Sequence, residues 1–105
     1  MYRVHHHHHR NGTRIETSKK VYYGREPIVV RFYNTNGSRL EWISIAEEGA
    51  PERLYLKYSF TGGTKNGTVV FRTLDLKPGV YEARLHYSWS TRSYAVRRRC
   101  YFRVR

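Results

Sequence analysis

Leu76-Lys77-Pro78-Gly79-Val80-Tyr81-Glu82-Ala83-Arg84-Leu85-His86-Tyr87 is the stretch that decides the fold. Pro78-Gly79 is a turn signal: proline presets φ, and glycine takes a positive φ after it. Strict alternation follows. Tyr81, Ala83, Leu85, Tyr87 and Trp89 fall on one side, and Glu82, Arg84, His86 and Ser88 on the other. Successive side chains of a strand point to opposite faces, so this pattern predicts a half-buried antiparallel strand with Glu82, Arg84 and His86 turned outward.

Working back toward the N-terminus, more strands emerge. Thr13 to Tyr23 reads as a first strand with a break, and Gly24-Arg25-Glu26-Pro27 as a turn. Ile28 to Tyr33 is a second strand whose apolar face is Ile28, Val30 and Phe32. Leu40 to Ala46 is a third, buried at Trp42 or at Ile43 and Ile45; its phase is ambiguous. Glu47-Glu48-Gly49-Ala50-Pro51-Glu52 is an acidic loop. In the fourth strand Leu54, Leu56, Tyr58 and Phe60 form one stripe, and Thr68 to Leu74 is the fifth. The last strand, Tyr94 to Val104, turns Val96, Cys100, Phe102 and Val104 one way and Ala95, Arg97, Arg99, Tyr101, Arg103 and Arg105 the other. Arg98 breaks the apolar phase, which places it where the strand runs past the core. Seven strands at regular spacing, with no helical period, predict an all-β antiparallel sandwich.

Composition agrees. A chain of 105 residues suits one domain with one modest core, and ten tyrosines lean toward strands. Cys100 is the only cysteine, so no internal disulfide forms. No run has the apolar length of a membrane span, and no apolar signal core opens the chain. The formal net charge is +12, which predicts attraction to polyanions such as nucleic acid or acidic glycan. Residues 1–12 form a His-rich segment containing His5 to His9; it reads as an affinity tag or a hairpin arm turned at Asn11-Gly12. The sandwich occupies 13–105.

Three stretches in order carry a resemblance: Tyr23-Gly24-Arg25-Glu26-Pro27-Ile28-Val29-Val30, then Glu41-Trp42-Ile43-Ser44-Ile45 with its acidic loop, then Leu76-Lys77-Pro78-Gly79-Val80-Tyr81. The pattern resembles the immunoglobulin-like and fibronectin-like accessory domains of microbial enzymes and surface proteins, whose tyrosine corner the last stretch matches. Ala83 stands where a second immunoglobulin cysteine would fall. The resemblance implies a non-catalytic role in stability, positioning or binding, in an extracellular or cell-surface setting. It transfers no ligand residues.

The chemistry points the same way. Outside residues 5–9 the only histidine is His86, and Asp75 is the only aspartate. A Ser88-His86-Asp75 set lacks a nucleophile elbow and an oxyanion segment. Cys100 falls on the apolar phase and reads as a small buried hydrophobe. With no phosphate loop and no cysteine-pair metal motif, no catalysis, cofactor or small-molecule substrate is expected. The three Asn-Gly-Ser/Thr triplets, at 11–13, 36–38 and 66–68, serve as turns or glycosylation acceptors. Two surfaces remain. Tyr87 to Tyr94 has the composition of a binding loop, with Trp89, Arg92 and Tyr94 as anchors. Arg84, Arg97, Arg99 and Arg103 with Tyr101 would form a basic face on the last hairpin. The expected function is a protein-interaction or surface-assembly module, in which the N-terminal segment adds a strand to a neighbour's sheet edge. The alternatives are a polyanion binder acting through the arginine face and a β-sandwich scaffold engineered to bind through its Trp89 loop.

Overall fold

The computed structural model describes residues 12–88 and 94–105, which hold eight strands and no helix. They are β1 (Arg14–Thr17), β2 (Val21–Tyr22), β3 (Ile28–Tyr33), β4 (Trp42–Glu47), β5 (Lys57–Phe60), β6 (Gly67–Phe71), β7 (Gly79–His86) and β8 (Val96–Val104). One sheet runs β1-β3-β6 and the other β2-β8-β7-β4-β5. The fold is therefore an all-β sandwich of eight strands, one more than the sequence predicts, because the break after Thr17 divides the first segment between the two sheets. β1 pairs antiparallel with β3, while β2 crosses over and pairs parallel with the end of β8. Among the described residues, that pair is the one exception to antiparallel order.

The core lies between the sheets. Ile15, Ile28, Val30, Phe32, Val69 and Phe71 from the smaller sheet meet Tyr22, Ile43, Ile45, Tyr81, Ala83, Leu85, Phe102 and Val104 from the larger. These are alternate positions of each strand, as the period of two requires of side chains that share a face. Cys100 is half-buried against this core, and burial pushes its thiol up to about 11. The structure resolves the ambiguous phase of β4 by burying both faces: Ile43 and Ile45 point into the core, and Trp42, Ser44 and Ala46 are sealed on the outside. Arg98 lies at the rim on the inward phase, exposed, its Nε donating to the Thr13 carbonyl at 2.9 Å.

Gly79 takes the positive φ expected of it, 158°, and opens β7 opposite Val104. The expectation of a turn at Asn66-Gly67 changes. Gly67 opens β6 and is required for space: a methyl group there would lie 2.8 Å from Phe32 Cζ. The Tyr81 hydroxyl donates back to the Lys77 carbonyl at 2.5 Å, tying the entry of β7 to the turn before it. Removing it in Tyr81→Phe leaves that carbonyl without its donor. The expected cost is about 1–2 kcal/mol in a denaturant titration; a change below about 0.5 kcal/mol would show the bond to be idle.

Candidate binding surface on the last strand pair

β7 and β8 pair without interruption from Gly79–Val104 to Leu85–Arg98. His86 then pairs with Val96, so Arg97 is the extra residue of a bulge. The bulge moves Val96 to the outer face, beside His86, and corrects the inward assignment of that residue. Across the outer face the side chains run in rows: Phe60, Trp42, His86 and Val96; then Tyr58, Ser44, Arg84 and Arg99; then Ala46, Glu82 and Tyr101.

Glu82, Arg84 and His86 lie on this face, but the expectation that they are solvated is overturned. All three are buried, Arg84 at 1% exposure. The cover is the acidic loop. Arg84 donates through Nη1 to the Pro51 carbonyl at 3.2 Å, through Nη2 to the Ala50 carbonyl and through Nε to Glu82 at 2.9 Å. The other Glu82 oxygen accepts the Gly49 amide at 2.8 Å. Burial alone would raise the Glu82 carboxyl. The Gly49 and Arg84 hydrogen bonds, with the charges of Arg84 and Arg99, outweigh burial and hold it below the usual range. Arg84 is thus a clamp for residues 47–52 and is not presented to a ligand.

Arg97 is likewise engaged. It donates to Glu41 at 2.9 Å, to the Thr13 hydroxyl at 2.9 Å and to Asn36 at 3.2 Å, and its guanidinium lies 5.3 Å over the Tyr87 ring. Glu41 is buried and also accepts the amides of Asn36, Gly37 and Ser38. Sequence reasoning passed over Glu41; an acid just after an Asn-Gly-Ser loop was the available signal. Tyr94 joins an aromatic cluster, edge-on to Trp42 at 6.1 Å and beside Tyr55 at 6.2 Å, with the Arg53 guanidinium 5.7 Å from its ring. Trp89 and Arg92, and the His5 to His9 run, lie outside the described residues.

What remains of the basic face is Arg99, Tyr101 and Arg103 on β8. All three are exposed, Tyr101 at 50%, and Arg99 also reaches Glu82 at 3.3 Å. On the opposite edge of the sheet, β5 exposes Tyr58 (48%) and Phe60 (41%), and the segment leading into it exposes Leu54 (62%) and Leu56 (53%). The stripe seen in the sequence faces solvent. The one charge of β5, Lys57 on the other face of the strand, pairs with Asp75 at 2.6 Å.

His86 is sealed. Trp42 stacks on it at 3.7 Å, Ser44 Oγ lies 2.8 Å from Nε2, and the Tyr94 carbonyl lies 3.0 Å from Nδ1. A carbonyl only accepts, so Nδ1 carries the hydrogen and Nε2 accepts from Ser44. Burial holds the ring neutral, pushing it down to about 4. Asp75 is engaged with Lys57, so the paper triad is not assembled. Among the described residues, no cluster of metal-ligating side chains occurs, and no helix is long and apolar enough to cross a membrane. No family model matches the chain, and no curated protein matches it.

The buried ring sets a pH dependence. The unfolded chain binds a proton at His86 below about 6.5, and the folded chain only below about 4. Stability is therefore complete above that window and lost as pH falls through it, by about 3 kcal/mol. Urea titrations between pH 7 and 4 should show this loss in the parent, and a flatter profile in Ser44→Ala/His86→Phe. Equal slopes in the two proteins would exclude His86 as the source.

Proposed function

We propose that this chain is a non-catalytic, immunoglobulin-like interaction module that associates with further copies of itself through the edge of β5. One observation carries the reading: Leu54, Leu56, Tyr58 and Phe60 are more than two-fifths exposed at an end of the sheet order of the described residues, in a protein of net charge +12. Edge strands are normally protected by outward charge, proline or a bulge, and exposed apolar patches mark interaction sites. β5 has none of these protections, because Asp75 neutralises Lys57. Antiparallel pairing of two β5 edges about Tyr58 would set Leu56 against Phe60 and Lys57 against Ser59, so no like charges meet.

The immunoglobulin-like assignment is supported by the passage of the N-terminal segment from one sheet to the other and by the Tyr81–Lys77 hydrogen bond. The polyanion reading has less behind it, since Arg84 and Arg97 are consumed by Glu82 and Glu41. A scaffold selected through its Trp89 loop draws no support from the described residues.

Sedimentation velocity over a concentration series, at low and high salt, tests the proposal. Association should persist or strengthen at high salt and be lost in Tyr58→Lys. A protein that stays monomeric throughout, or associates only at low salt, would overturn it.

A further inference from the structure

A second edge of the same sheet is open, and its chemistry is different. β2 pairs with β8 only at Arg103 and Val104, so among the described residues no strand lies beside Arg97–Tyr101 on the side away from β7. The direction of the backbone groups follows from the bonds that are made. Arg103 donates its amide to Lys20 and Arg105 donates to Tyr22, both away from β7. Alternate residues of a strand send N–H and C=O to the same side. Arg99 and Tyr101 therefore present theirs to the open edge, in line with the bonds that β2 already makes. Beneath this edge, between β1 and β8, lies a cleft of about 430 Å³ lined by Glu16, Thr17, Lys20, Cys100 and Tyr101.

We infer that this edge is a docking site for an extended acidic segment of a partner protein, which extends the five-stranded sheet beside Arg99–Tyr101. Strand addition supplies main-chain hydrogen bonds for affinity, and alternate side chains supply specificity. Residues of the added strand opposite Arg99 and Tyr101 share the outer face, where Arg99 and Arg103 are exposed. Carboxylates at those alternate positions find guanidiniums, which they bind well. The intervening residues face the cleft at Cys100, whose other walls are Glu16, Thr17, Lys20 and Tyr101.

A second copy is rejected. Antiparallel pairing of two β8 edges about Tyr101 would need the edge at Arg103, which β2 already occupies. β2 thus keeps this edge from pairing with itself, and the exposed Arg99 favours a strand of opposite charge. β5, with its charge neutralised, has no such selection, so the two edges are distinct sites.

The probe is a short peptide alternating glutamate and valine, titrated onto the full chain and followed by backbone amide shifts. Shifts at Arg99 and Tyr101 are expected, with none at Tyr58. The ladder is tested on the peptide alone, which leaves the protein unaltered. N-methylating the amides of one peptide edge should weaken binding by about tenfold or more, and N-methylating the other edge should not. On the protein side, Tyr101→Pro removes only an N–H that points off the sheet, which edge positions tolerate, and should abolish binding while β7–β8 pairing survives. Arg103→Glu should weaken binding of the glutamate–valine peptide and remove its advantage over a lysine–valine peptide. If both N-methylated peptides bind like the parent, or if a short oligonucleotide binds equally well and displaces the peptide, the surface is a diffuse electrostatic patch and the inference fails. Loss of the β5 association in Tyr58→Lys leaves this result untouched, so the two proposals fail separately.

Discussion

The ion pair between Glu82 and Arg84 controls how much of this sandwich is solid. The two residues are alternate positions of one strand, both on the face away from the core and both buried. Burying two charges is costly unless their remaining hydrogen-bonding groups are satisfied. Here they are: the guanidinium binds the Ala50 and Pro51 carbonyls, and the carboxylate takes the Gly49 amide and Arg99. The pair therefore fastens the acidic loop over the middle of the sheet. β7 becomes buried on both faces, and β4 on both faces up to Glu47, a condition more typical of strands with helices on either side.

That closure determines where recognition can occur. The centre of the outer face, which alternation marks as the solvated side, is occupied by the protein's own loop and by the Trp42–His86 stack. Arginines that would make a flat basic plane are divided between tasks. Arg84 holds a loop, Arg97 bridges Glu41, Asn36 and Thr13, and only the outer part of β8 keeps its guanidiniums in solvent. Available surface is thereby pushed to the two ends of the sheet.

Period-two alternation was enough to locate the inner faces of β3 and β7, but left the phase of β4 open. β3 runs over the residues expected of it, Ile28–Tyr33, and the break in the first strand falls where the sheets are exchanged. Alternation says which residues share a side, but not what covers that side. The cover over Arg84 comes from Ala50 and Pro51, more than thirty positions away in the chain, and no local pattern announces it. Val96 went astray for a different reason: one extra residue at Arg97 reverses the phase, and a bulge leaves no compositional mark. The Leu54–Phe60 stripe was visible as a stripe, yet only the position of β5 at the end of the sheet order explains why it stays partly exposed.

The two ends differ in how they respond to the charge of the whole molecule. A net charge of +12 repels a second copy at any approach, and salt screens that repulsion within about 10 Å at moderate ionic strength. Contact at β5 is apolar, so added salt removes an obstacle and costs little of the attraction. Contact at β8 joins arginines to opposite charge, so added salt weakens the attraction itself. Because the order β2-β8-β7-β4-β5 puts these edges on opposite sides of one rigid sheet, occupying one does not block the other. The two proposed contacts would thus join like to like on one side and hold an acidic strand on the other, with ionic strength moving them in opposite directions.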